Sequence, residues 1–274
     1  WGTFGVPTWI TALILFLLIA SVLLGGLRRI GSVAGKIVPF MAILYTLASL
    51  LIIILNIKEV PAMFLHVIEE AFTPTAAQGG FAGATAMMAV RFGMARGIFA
   101  NEAGLGSGPI AHATATSTPL RQATIGMLDV FITTMIVCSM TGFAILVTGE
   151  WTAVGAQGAS LTARAFETAL PGVGSAIVAI SLVMFAFTTI LGWCVYGERC
   201  AIYFFGDKAQ IPFRIVYCIA IPVGVLTQLD VVWLLADTCN ALMAIPNLIA
   251  ILLLSPVLFK LVKEDESKDS IFKH

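Results

Sequence analysis

Long apolar runs fill the chain, and short polar breaks separate them. Stretches such as 9–24 and 37–55 approach the roughly 20 residues that a helix needs to cross a bilayer. They are continuous rather than alternating, which points to helices and not to barrel strands. The pattern predicts seven spans, at about 8–26, 37–56, 61–97, 122–147, 173–200, 212–227 and 236–262. A short helix at 230–235 precedes the last span. Pro246 and Pro256 are expected to kink that span or split it in two.

The third span is the unusual one. It breaks at Gly79-Gly80-Phe81-Ala82-Gly83, with helix-like sequence at 61–77 and 84–97. Each glycine costs about 1 kcal/mol relative to alanine inside a helix. In a membrane such a break survives only where protein or a wet cavity surrounds it. Broken helices of this kind form substrate and ion sites in secondary transporters. The competing reading is that Gly79 and Gly83, four apart, let two helices pack closely.

Composition agrees with the pattern. The 274 residues are 59% hydrophobic and 11% charged, with a mean hydropathy of +1.00, whereas a soluble domain is about 25% charged. The formal net charge is zero, so no bulk charge points to nucleic acid. The five cysteines form no CxxC pair and read as reduced, packed thiols. The three histidines are scattered and form no metal-ligand set. The first span begins within ten residues of Trp1, with no signal-peptide pattern. An N-terminal part of a longer protein is therefore expected to be missing.

Basic residues orient the spans. If the 26–36 loop is cytoplasmic, thirteen of the 15 Lys and Arg fall on that side, leaving Lys58 and Arg164 on the other. Arg91 then marks the inner interface, and Gly79 lies roughly 18 Å away along a helix, near the midplane. Segments 98–121 and 149–171 read as extramembranous, with Gly97 as a hinge and an amphipathic surface helix at 161–170. The chain divides into a membrane region, 1–262, and a charged cytoplasmic tail, 263–274, expected to be disordered.

The half-helix after the break would present its positive N-terminal end to a cavity. A zwitterionic amino acid offers a carboxylate to such N–H groups and an ammonium to freed carbonyls. Thr85 adds a hydroxyl, and Phe81 can cover a small side chain. Farther on, Thr188 and Thr189 lie inside a very apolar span. Sodium is a hard cation that takes oxygen ligands, so two hydroxyls suit it. A threonine can instead bond to the carbonyl four residues back. Trp193 follows one turn later, as a pocket wall or a lipid-belt residue. Glu198 and Arg199 suggest an interfacial ion pair or a gate. Asn101 and Glu102 read as caps of a short cytoplasmic helix.

Three strings carry a family resemblance: GGFAGATAMMAVRFGMARGIFANEAGLGSGPIAHA (79–113), the span 126–149 ending in ILVTG, and FAFTTILGWCVYGERC (185–200). LADTCNALMAIPNLIAILLLSP (235–256) adds to them. Together they resemble the alanine or glycine:cation symporters, the sodium–alanine symporter family. The resemblance implies an all-α polytopic membrane protein, part of a LeuT-like fold of two inverted five-helix repeats. The seven spans would be helices four to ten, with helices one to three missing. It implies import of alanine or glycine coupled to sodium across the cell membrane, with the C-terminus cytoplasmic and no enzymatic step. It implies a substrate site at Gly79, Gly80, Phe81, Gly83, Thr85 and Trp193. It implies a sodium site at the Phe185 carbonyl, Thr188 and Thr189.

Two positions depart from the family pattern. Ala100 stands where a serine commonly precedes Asn-Glu, and Thr133 replaces an acidic residue in Phe-Ile-Asp-Thr. Asp129, one turn earlier, could take over that acidic role or could pair with Arg91 or Arg96. The alternative class is an integral-membrane transferase using Asn101, Glu102 and His112 at the bilayer surface. It predicts clustered carboxylates and histidines at one interface, whereas the distinctive residues here are midplane glycines and hydroxyls.

Overall fold

In a computed structural model, residues 5–72, 82–102, 104–152 and 158–271 are described. They are helical, with no strand among them. Eleven α-helices can be named: α1 (Thr8–Leu23), α2 (Gly26–Leu55), α3 (Val60–Phe72), α4 (Ala82–Asn101), α5 (Ser107–His112) and α6 (Pro119–Phe131). A π-helical segment (Ile132–Cys138) joins α6 to α7 (Ser139–Val147). Then come α8 (Ala159–Ala169), α9 (Gly174–Phe205), α10 (Gln210–Leu226) and α11 (Leu229–Ile271).

Among the described residues, five stretches are long and apolar enough to cross a bilayer: Gly26–Leu55, Pro119–Val147, Gly174–Phe205, Asp207–Leu226 and Leu229–Glu264. Thr8–Leu23 and Val60–Glu69 are apolar but shorter.

Three expectations need correction. The 26–36 loop is helix, so the link between α1 and α2 shrinks to Leu24 and Gly25. The reason is spacing. Ile30 is buried, and Val33 and Ile37 pack against the same core cluster, at steps of three and four residues. Glycines and cations occupy the rest of the turn and disguise that stripe. The last span is neither split nor preceded by a separate helix; α11 runs through Pro246 and Pro256. The helix also continues to Ile271, where a disordered tail was expected.

The chain divides into two compact units. The first holds residues 1–83 and 137–228, the second 84–136 and 229–274. The division at 136/137 falls inside the π segment. In the first unit, α2 and α9 run through two apolar clusters. One gathers Ile19 and Leu23 of α1, Ile30 of α2, Leu191 and Cys194 of α9, and Cys218 of α10. The other joins Tyr45 and Ile52 of α2, Ala144 and Val147 of α7, Phe166 of α8, and Val178 of α9. Phe166 is fully buried and stacks on Tyr45 at 5.6 Å. The amphipathic helix read from 161–170 is thus real, and one aromatic ring anchors it. Gly174 allows the tight corner from α8 into α9: a Cβ there would lie 2.1 Å from the Phe166 carbonyl oxygen.

The second unit contains α4 from residue 84, α5, α6 and α11. Its side chains are mostly exposed, and the apolar stretch of α11 carries no buried residue. Gly97, expected as a hinge, lies within α4, with open space where a Cβ would point.

Candidate functional site

The helix after the glycine break starts at Ala82, so Gly83 and Thr85 are both in its first turn. Gly79, Gly80 and Phe81 lie outside the described residues, and so does the Thr85 side chain.

The threonine pair sits in the first unit, midway along α9. Two adjacent helical residues point about 100° apart, and their surroundings differ accordingly. Thr188 is buried. Its Oγ1 donates to the Met184 carbonyl at 2.9 Å and the Phe185 carbonyl at 3.2 Å. The same oxygen lies 3.8 Å from Sδ of Met41 on α2. Phe185 and Thr188 are therefore brought together, through the back-bond that is the common fate of helical threonines. The hydroxyl proton is used, but oxygen lone pairs remain.

Thr189 is exposed, on a stripe with Leu182, Val183 and Ala186. It makes no hydrogen bond among the described residues. A hydroxyl left unbonded on an apolar face is costly in hydrocarbon. Trp193, one turn on, is half-buried, and its ring meets Tyr196 edge-on at 5.7 Å. Gly192 beside it faces open space.

The groups that resembled enzyme chemistry are tied into the second unit's own structure. Asn101 Oδ1 accepts a hydrogen bond from Thr134 Oγ1 in the π segment. Glu102 Oε2 accepts one from Ser107 Oγ at 2.5 Å. His112 Nδ1 pairs with Gln122 Oε1 at 2.9 Å. Neither Asn101 nor Glu102 caps α5, whose cap position is Gly106, at φ +83°. Glu102 itself takes φ 51°, an uncommon left-handed conformation for a residue with a Cβ. Asn247 of α11 holds this turn from the side: its Nδ2 donates to the Gly104 carbonyl at 2.9 Å. A Cβ at Gly106 would lie 3.0 Å from Asn247 Oδ1, so the Gly-Leu-Gly run lets the loop approach that side chain.

Two ion pairs replace those expected. Glu198 pairs with Arg214 of α10 and not with the exposed Arg199. Arg214 Nε donates to Glu198 Oε2 at 2.5 Å, Nη2 to Oε1 at 3.0 Å, and Nη1 to the Leu23 carbonyl at 3.0 Å. Gln210 Nε2 adds a bond to Oε1 at 2.8 Å. In the second unit, Arg96 pairs with Asp237 of α11. Asp129 is exposed and pairs with neither Arg91 nor Arg96.

A family model for the sodium:alanine symporter family matches residues 2–271. The chain belongs to the sodium:alanine symporter family. A transporter of Haemophilus influenzae is 47% identical over 264 residues, covering 96% of this chain and 58% of that one. A sodium/alanine symporter of Methanococcus maripaludis is 42% identical, covering 98% and 60%. A probable sodium/glutamine symporter of Bacillus subtilis is 35% identical, covering 99% and 57%. The chain thus spans somewhat more than half the length of these relatives. Family members are transporters, which removes the transferase reading.

Proposed function

We propose that the intact protein is a sodium-coupled symporter that imports alanine or glycine across the cell membrane. This chain would carry two half-sites. The glycine break would supply free N–H and C=O groups from Gly79, Gly80, Phe81 and Gly83 for the zwitterion, with Thr85 and Trp193 completing the pocket. The Phe185 carbonyl, Thr188 and Thr189 would supply neutral oxygens for sodium. Helices outside this chain would close both, in a LeuT-like inverted repeat with the C-terminus in the cytoplasm.

The observation that carries this reading is the unbonded Thr189 hydroxyl on an otherwise apolar stripe, next to Thr188 and the Phe185 carbonyl. A cation would satisfy it. Each elementary charge moving inward gains about 2.3 kcal/mol per 100 mV, so one sodium ion supports appreciable accumulation. Family membership supports the coupling ion. One relative is named for glutamine; a phenylalanine at position 81 would favour a smaller side chain if it took part in the site.

The deciding experiment is uptake of radiolabelled alanine by the intact protein in proteoliposomes, with and without an inward sodium gradient. Accumulation that needs sodium supports the proposal. Equal uptake without it overturns the coupling.

A further inference from the structure

Arg96 and Asp237 lie on different helices of the second unit, 141 residues apart in sequence. Asp237 and Trp233 are four apart on α11, and Arg96 and Phe99 are three apart on α4. Each helix therefore presents one charge and one ring on the same face. The four side chains interlock. Arg96 Nη2 donates to Asp237 Oδ1 at 2.5 Å and Oδ2 at 2.6 Å. The guanidinium carbon sits 4.0 Å above the Trp233 ring. That ring meets Phe99 edge-on at 5.6 Å.

The pair is built lightly. One guanidinium nitrogen makes both bonds, while Nε and Nη1 make none among the described residues. Arg96 and Asp237 are 35% and 38% exposed. A permanent brace in an apolar setting needs burial and a full set of partners, because half-paired charges there are costly. This pair lacks both. It does have a second resting place for the cation, the Trp233 face, which attracts a guanidinium whether or not the carboxylate is in contact.

We propose that Arg96 and Asp237 form a reversible latch between α4 and α11, closed here and opened once in each transport cycle. Closed, it positions the half-helix that follows the glycine break against the last span. Open, it leaves the guanidinium on Trp233 and frees α4 to move. Both are positioning residues and neither touches substrate. The role rests on the symport reading above.

The test uses the intact protein in proteoliposomes. Arg96→Ala and Asp237→Ala each lower the maximal rate of alanine uptake about fivefold, the upper end of what a half-exposed ion pair contributes. The alanine KM stays within about threefold, since ground-state binding is untouched. The swap R96D/D237R recovers most of the rate. In R96C/D237C, with the exposed Cys138, Cys200 and Cys239 replaced by serine, a short reducible bis-thiol crosslinker stops uptake and reductant restores it. Uptake that persists in crosslinked protein overturns the latch, as does a swap no better than either single change. The crosslink is read by mass spectrometry and needs no substrate. Failure of the unmodified protein to take up alanine therefore counts against the symport reading, and failure of the cysteine pair to crosslink counts against the latch.

Discussion

In each unit an ion pair joins two long apolar helices, Glu198–Arg214 in the first and Arg96–Asp237 in the second, and the two are made differently. Glu198 and Arg214 are 9% and 12% exposed, while Arg96 and Asp237 are 35% and 38% exposed. The first pair uses all three guanidinium nitrogens, a glutamine and a backbone carbonyl, and so ties α1, α9 and α10 at one point. The second uses one nitrogen and an aromatic face. The packing around them differs in the same sense. The first unit holds both apolar clusters, and the second leaves α6 and α11 largely bare. The lesson concerns division of labour. On the latch proposed above, the degree of hydrogen-bond completion would separate a part that keeps its shape from one whose contacts are exchanged.

Removing one partner from each pair is the strongest way to break that contrast. Glu198→Ala strands a buried guanidinium and is expected to cost about 3–5 kcal/mol. Arg96→Ala is expected to cost at most about 1 kcal/mol, as exposed pairs do. Thermal unfolding of the purified protein followed by tryptophan fluorescence checks both. Equal losses would erase the distinction between brace and latch.

Glycines sharpen the same contrast at smaller scale. Gly174→Ala drives a methyl group into the Phe166 carbonyl and should cost at least about 1–3 kcal/mol by overpacking. Gly97→Ala meets nothing within 4 Å and should stabilise α4 by up to about 1 kcal/mol through helix propensity. The same melts measure both. If Gly97→Ala abolishes uptake without lowering the melting temperature, Gly97 is a hinge after all.

How much of this was legible beforehand depends on whether a feature is local. Five of the seven expected spans were, because a continuous run states its own length, whereas the first and third fall on helices that are apolar but shorter among the described residues. The surface helix α8 was, because its apolar stripe is short and regular. The start of α2 was not: Gly26, Gly31 and Gly35 with Arg28, Arg29 and Lys36 read as a loop, and Ile30, Val33 and Ile37 were hidden among them. Both ion pairs were missed because adjacency drew attention first. Glu198 has Arg199 beside it, yet neighbours on a helix diverge by about 100°, and the partner came from α10. Asp237 was visible as a carboxylate in an apolar run, but nothing local names a partner 141 residues away. The π segment, which contains Thr133 and Thr134, had no signal at all. At the candidate site, the bond from Thr188 to the carbonyl four residues back, that of Met184, was foreseeable, while the opposite exposures of Thr188 and Thr189 needed the neighbours of α9.

That opposite exposure yields the next prediction. Thr188→Val removes a hydroxyl that bonds within its own helix, and Thr189→Val removes one that bonds to nothing described. If Thr189 is a sodium ligand, its valine variant should raise the sodium concentration for half-maximal uptake severalfold, the effect of losing about 1 kcal/mol of ion binding. Thr188→Val should act as much on stability as on sodium dependence. Sodium-titrated uptake in proteoliposomes separates them. Unchanged sodium dependence in Thr189→Val, with the protein folded, would remove the site from α9.

The smallest expected effect probes a corner of the first unit. Glu167 on α8 accepts backbone hydrogen bonds from Ser175 at 2.9 Å and Gly172 at 2.7 Å. It thereby ties the surface helix to the start of α9. Those N–H groups, Ser175 first and then Gly172, favour the charged carboxylate and hold it below its usual pKa of 4.5. A carboxyl whose pKa is lowered on folding stabilises the fold above its unfolded pKa. That contribution is lost as pH falls through the lower, folded value. At pH 7 the tie is complete, and it weakens only below about 4.5. Glu167→Gln keeps the shape and removes the charge, so it should lower stability at pH 7, where the charged tie is complete, and change little in acid, which flattens the acid limb. Hydrogen exchange at the α8–α9 corner, compared at pH 7 and at pH 4 after correction for intrinsic rates, reads this directly. Glu150 complicates the comparison, because it pairs with Arg164 at 3.0 Å and accepts from Thr168 on the same helix. Glu150→Gln is therefore the needed control. If Glu150→Gln, and not Glu167→Gln, speeds exchange at the corner at pH 7, α8 is held through its exposed face and not through the α9 corner.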